Sequence, residues 1–204
     1  MEYYRKLPHF QPLEAAYFIT MRLYGSMPQH LIELLKEEQE VARNRLQTLD
    51  DTESDLYQQQ KRYFARFDSF LDRPDNGPYW LSEPAIAEIM KEALHHRAGK
   101  EYDLIAFCLM SNHIHLVIHT YENTKADFFL YRMLQAFKSY TARKANDYLE
   151  REGPFWHPES YDHIVRNGDE LKRIIAYTLN NPVKAGLVAN WQDWPHSYVN
   201  EAYW

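Results

Sequence analysis

The sequence predicts an α+β fold in which a small antiparallel sheet carries helices, and three observations predict it. Short β-rich runs at 17–24, 102–110, 113–120 and 161–166 are bounded by turn residues. Longer stretches with apolar residues at helical spacing lie at 83–97, 126–149 and 169–180. A charged helical pair, 29–49 and 54–72, interrupts the alternation directly after the first run. With that excursion set aside, the order is strand, helix, strand, strand, helix, strand. This is the βαββαβ or ferredoxin-like pattern, followed here by one more helix. The chain, 1–204, is expected to form one domain with 29–72 as an insertion.

Each element has its own warrant. Residues 17–24 alternate loosely, and Gly25-Ser26-Met27-Pro28 ends the run. Leu31, Leu34, Leu35, Val41 and Leu46 form a narrow apolar stripe among charges. Leu56, Tyr63, Phe64, Phe67, Phe70 and Leu71 continue at helical positions over 54–72. Arg73 to Pro78 is a loop, and Ser82 is expected to cap a helix over 83–97 whose core face is Ile86, Ile89, Met90 and Leu94. Residues 102–110 are a continuous apolar strand joined to 113–120 by a turn at Ser111-Asn112. The helix 126–149 turns Phe129, Met133, Ala136, Phe137 and Tyr140 inward and leaves Lys138, Arg143 and Lys144 outside. Gly153 to Ser160 is a turn-rich connector, and Asn167-Gly168-Asp169 opens the last helix, which Asn181-Pro182 is expected to stop. The tail is expected to fold back through Trp191, Trp194 and Trp204.

Composition narrows the classes. Apolar residues are 45% and charged residues 25%, the balance of a globular protein with a real core. One cysteine, Cys108, excludes a disulfide framework and any CxxC zinc or redox site. The first residues have no apolar signal region, and no 18 apolar residues run together, so a cytoplasmic protein without membrane spans is expected. The net charge of −6 argues at first against nucleic acid. The acidity is local, however. Residues 29–60 hold three basic and eight acidic side chains, whereas 125–184 hold ten basic and eight acidic ones. A basic face on the rest of the chain is compatible with the total.

Chemistry concentrates in two places. His113 and His115 lie two apart in a strand and so share a face, side by side, with Ile114 turned to the core. Two neutral imidazoles at that spacing make one edge of a divalent-metal site, or else two half-exposed histidines on an open sheet. His119 is on the same face but about 13 Å further along by strand rise. A metallo-β-lactamase-like HxHxDH is excluded by Val117-Ile118, and the second His-x-Ser/Thr copy of a two-histidine phosphoesterase is missing. In the last helix Leu171, Ile174, Ile175 and Thr178 mark the buried stripe, with Tyr177 at its border and Arg173 and Asn181 one turn to either side. A hydroxyl, a cation and an amide oxygen of the kind Mg²⁺ or Mn²⁺ accepts thus share one edge. Taken alone, a border tyrosine is an ordinary amphipathic residue.

His113-Ile-His115 after Met110-Ser-Asn, together with Tyr177-xxx-Asn181-Pro-Val-Lys-Ala-Gly186, resembles the single-tyrosine HUH transposases, and within them the REP-associated tyrosine transposases. The resemblance runs from about Tyr17 to about Pro195, takes in Phe155-Trp156 and His163-Ile-Val-Arg166-Asn167, and is interrupted by the helical excursion. It implies that His113, His115 and Asn181 hold a divalent cation, Mg²⁺ or Mn²⁺, and that Tyr177 is the nucleophile. It implies a substrate of single-stranded DNA folded into imperfect hairpins, cleaved and rejoined through a 5′-phosphotyrosine with a free 3′-hydroxyl. Arg132, Lys138, Arg143, Lys144, Arg166, Arg173 and Lys184 are candidates for DNA phosphates. Tyr3, Tyr4, His9 and Phe10 are candidates for stacking on unpaired bases. Two other readings stand beside this one, a hairpin-binding module without strand transfer and a metal-dependent nuclease that uses water. A homodimer in which the partner supplies the tyrosine is also open. The acidic excursion at 29–72 is larger than the compact core of that group, and the net charge is negative where DNA enzymes are usually basic.

Overall fold

The computed structural model describes residues 14–47, 53–73, 77–121 and 129–204. In chain order the elements are β1 (Ala16–Leu23), α1 (Gln29–Gln47), α2 (Glu53–Leu71), α3 (Pro84–Arg97), β2 (Tyr102–Leu109), β3 (His113–Thr120), α4 (Phe129–Tyr148), β4 (Trp156–Ile164), α5 (Gly168–Lys184) and β5 (Ser197–Val199). The sheet has the order β4-β1-β3-β2-β5 with every pairing antiparallel. Removing α1, α2 and the C-terminal elements leaves the expected βαββαβ arrangement.

Strand alternation sorts the core into two sides. Ile19, Met21, Ile114, Leu116 and Ile118 point to one side, where Met90 and Leu94 of α3 and Met133 and Phe137 of α4 cover them. Phe18, Ala106 and Val117 point to the other, under Ile175 and Leu179 of α5 and against Phe64 of α2. The register sets His115 beside Thr20 and His113 beside Arg22, so both histidines face α5. A third, smaller cluster of Met27, Leu31, Leu35, Phe70 and Leu71 closes the α1–α2 hairpin.

Several expectations need revision. β4 begins at Trp156, inside the stretch read as a connector. Pro158 hid it, because proline lacks a ladder N–H, but β4 is an edge strand where that loss is tolerated. α5 runs through Asn181-Pro182 to Lys184 rather than stopping there. Pro182 falls in the final turn, and the helix instead ends in a Schellman closure: Gly186, at φ +71°, donates to the Val183 carbonyl, and Leu187 donates to that of Pro182. Ser82 ends a short 3₁₀ turn, while α3 starts at Pro84 without a side-chain cap.

On α4 the buried stripe is Leu130, Met133, Leu134, Phe137, Thr141 and Ala145, which leaves Tyr140 42% exposed. Leu34 and Val41 of α1 are exposed as well. The tail folds back through Trp191, which packs on the core, and Trp194, with Trp194 Nε1 donating to the Leu109 carbonyl at 3.0 Å, and it adds β5 to the sheet, but Trp204 stays 58% exposed instead of packing on the core. The side chains of Leu46, Leu56 and Phe129, and the N-terminal Tyr3, Tyr4, His9 and Phe10, lie outside the described residues. No described helix is long and apolar enough to cross a membrane.

Candidate active site

Asn112 and Thr20 set the two histidines. The Asn112 amide nitrogen donates to the Leu71 carbonyl at 3.0 Å, leaving its oxygen 2.7 Å from His113 Nδ1. That oxygen only accepts, so His113 carries its proton on Nδ1 and presents a lone pair at Nε2. His115 Nδ1 lies 2.9 Å from Thr20 Oγ1 across the ladder. The two Nε2 atoms are 3.1 Å apart. Burial, then the neighbouring His115, lowers the His113 pKa to about 3, which keeps the ring in its neutral, ligating form.

A residue that sequence reasoning missed completes this edge. Asp68 of α2 is fully buried, with Oδ1 3.2 Å from His115 Nε2 and 4.0 Å from His113 Nε2. Its Oδ2 accepts from the Tyr177 hydroxyl and, at 3.0 Å, from Lys184 Nζ. One turn later, Asp72 accepts from Lys184 at 2.8 Å and sets its Oδ1 4.0 Å from His113 Nε2. Burial would raise the Asp68 carboxyl, but His115 and His113 beside it and the Tyr177 hydrogen bond hold it well below the usual carboxylate range. Burial raises Asp72, and the Asp68 charge adds to the rise. For Lys184, burial acts downward, yet the bonds to Asp72 and Asp68 outweigh it and raise the ammonium.

Tyr177 is half-buried on α5, its ring edge-on to Phe18 and Phe64 at 6.0 Å and 5.8 Å from the His115 ring. Burial, then Asp68, pushes the phenol above its ordinary value, so it is protonated at rest. Asn181, one turn on, is fully buried and donates from Nδ2 to the Tyr177 carbonyl at 3.2 Å.

The donor set fits a divalent cation. Asp68, His113 and His115 offer ligand atoms all within 4.8 Å of one another. The buried oxygens Asp68 Oδ1, Asp72 Oδ1 and Asn181 Oδ1 have no hydrogen-bond partner among the described residues. Asp68 Oδ1 and Asp72 Oδ1 lie within 4.0 Å of imidazole nitrogens, and such a set of buried acceptors is short of positive charge, which a hard cation supplies.

Of the expected residues, the structure brings together His113, His115, Tyr177, Asn181 and Lys184. Arg173 is exposed on α5, and Arg166 lies over the Tyr57 ring, 3.8 Å from its centroid. Lys138 donates to the carbonyls of His157, Pro158 and Glu159, bracing the start of β4. Arg132, Arg143 and Lys144 are exposed on α4, across the sheet from Tyr177. Asp68 did leave one sequence signal, a carboxylate four residues after Phe64 on the apolar edge of its helix.

Comparison with known proteins bears on the family and the fold. The family described as "Transposase IS200 like" matches residues 80–181. A curated Haemophilus influenzae protein named as a REP-associated tyrosine transposase is 28% identical over 104 residues, covering 47% of this chain and 58% of that protein. The match thus spans little more than half of the curated relative's length. A solved structure described as a REP-associated tyrosine transposase bound to a REP hairpin superposes with a TM-score of 0.53 at 15% identity, over 97% of this chain and 82% of that one. That likeness is one of fold.

Proposed function

The chain belongs to the IS200-like transposase family, and from that premise we propose that it cleaves and rejoins hairpin-containing single-stranded DNA through a covalent bond to Tyr177. The observation that carries this is a convergence: the Tyr177 hydroxyl and the two imidazole edges meet at one buried carboxylate, Asp68. The hairpin substrate is supported by the solved relative of the same fold, described as bound to a REP hairpin.

In the proposed reaction Tyr177 Oη forms a bond to phosphorus and the P–O3′ bond of the DNA breaks. Asp68 Oδ2, already hydrogen-bonded to the phenol, takes its proton, the departing 3′-oxygen takes a proton from water, and Asp68 returns its own proton to solvent. The raised phenol and depressed carboxyl make this transfer steeply uphill at rest. It therefore has to accompany formation of the phosphorus–oxygen bond, which removes the phenol's hold on the proton. His113, His115 and Asn181 would hold Mg²⁺ or Mn²⁺. Such a cation supplies charge neutralisation at a non-bridging phosphate oxygen. The phosphotyrosine keeps the energy of the broken ester, so the 3′-hydroxyl can rejoin without ATP. Lys184, Arg173 and Arg166 lie on the tyrosine's side and are suited to phosphates entering there, while Arg132, Arg143 and Lys144 would contact DNA that continues round the edge.

Tyr177→Phe tests the assignment against water-based hydrolysis. Strand transfer on a labelled hairpin with Mn²⁺ should disappear in the variant. Cleavage that persists at the wild-type rate would show that water is the nucleophile.

A further inference from the structure

We propose that Asp68 is itself a ligand of the divalent cation, so that the helical insertion, and not only the compact core, builds the metal centre. The inference rests on the metal reading above and adds a ligand from outside the segment matched by the family, which begins at residue 80.

Four observations carry it. Asp68 is fully buried, and an ionised carboxylate is brought into a protein interior only when paired or metal-bound. Its two oxygens are divided: Oδ2 is committed to Tyr177 and Lys184, whereas Oδ1 faces both imidazole edges, 3.2 Å from His115 Nε2 and 4.0 Å from His113 Nε2. His113 offers a lone pair at Nε2, and a second imidazole nitrogen 3.1 Å away crowds it unless a cation or proton lies between. Finally, α2 is pinned so that Asp68 cannot drift. The Leu71 carbonyl accepts from Asn112, Asp72 pairs with Lys184, and at the helix's other end the Tyr57 hydroxyl donates to Glu170 of α5. With Oδ1 on the cation and Oδ2 on the phenol, one carboxylate would fix the distance between metal and nucleophile.

The test is titration of the full chain with Mn²⁺ alone, following the free ion by EPR, for wild type, His113→Ala and Asp68→Asn. Both variants are expected to bind at least about 10- to 100-fold more weakly, the loss that removing even a partner that orients a metal ligand causes. Asp68→Asn with unchanged affinity, alongside a weakened His113→Ala, would overturn the ligand role and leave the metal reading standing. Wild type that binds no Mn²⁺ would overturn both.

Two further readouts cover a variant that folds badly. In wild type, Mn²⁺ should slow amide exchange over 64–71 as well as in β3; protection confined to β3 and α5 would count against Asp68. In Asp68→Cys, a thiolate donor should give a Cd²⁺ charge-transfer absorption absent from wild type, which already contains Cys108. Its absence in a folded, Cd²⁺-binding variant would overturn the assignment.

Discussion

Tyr177 is a packing residue and, in the proposed reaction, also the reacting group, and the two roles separate under substitution. Its ring packs among Phe18, Phe64 and His115, while its hydroxyl donates to Asp68. Tyr177→Phe keeps the ring and leaves Asp68 paired with Lys184, so it should cost only about 1 kcal/mol of stability while strand transfer is lost. A chemical denaturation curve beside the transfer assay checks both halves. At this scale much of the site was legible, because the strand period places His113 and His115 on one face and the helical period places Tyr177 and Asn181 on one edge. Asp68 was not. Its carboxylate is distant in sequence, and an aspartate in an acidic, charge-rich insertion looks like a solvated one until α2 is seen lying beside α5.

Between elements, the decisive relation is that α2 runs alongside α5 in the same direction. Tyr57 bonds Glu170 near the start of α5, Phe64 and Asp68 meet Tyr177 in its middle, and Asp72 meets Lys184 at its end. Glu170 is buried and also accepts from the Arg166 backbone N–H, while His163 Nε2 lies 3.2 Å from it, so the latch ties α2 to the β4–α5 corner. Phe64→Ala removes a half-buried ring from among Phe18, His115, Tyr161 and Tyr177 and should destabilise by about 2–3 kcal/mol, at or below the low end of core Phe truncations. Tyr57→Phe leaves Glu170 its other partners. It should raise amide exchange in the first turns of α2 with little change in global stability, and unchanged exchange there would mean that the latch is idle. The insertion's existence was readable from its charged helical pattern. Its placement was not, since nothing local says which sheet face a long excursion will cover. The early start of β4 was hidden for a related reason: Pro158 breaks the local strand signal, and only an edge position makes it harmless.

Taken whole, the molecule keeps several histidines neutral inside an acidic chain. Burial, then Arg22, lowers the His157 pKa to about 4, and burial, then Arg166, does the same to His163. In the unfolded chain these rings protonate near 6.5. Between about 6.5 and about 4 the unfolded state therefore binds more protons, so stability is full above pH 6.5 and drains away as the pH falls towards 4. In the metal-free protein the urea midpoint should drop clearly between about pH 7 and about pH 5. A flat profile would place charged or exposed rings where the structure buries them. Part of the negative charge is turned inward, because Asp68, Asp72 and Glu170 hold internal partners, while Arg173 remains exposed on the helix that carries Tyr177. Hairpin binding should accordingly weaken as salt rises, in proportion to the phosphates contacted.

The covalent intermediate is the most direct thing to measure. The protein would be incubated with Mn²⁺ and an end-labelled single-stranded hairpin drawn from the DNA flanking its own gene, denatured in SDS, and any adduct mapped by peptide mass spectrometry. A 5′-phosphotyrosine at Tyr177, absent with EDTA and in Tyr177→Phe, is the predicted result. Hairpin that is bound and cut without any protein–DNA adduct, or an adduct on a different residue, would contradict the account.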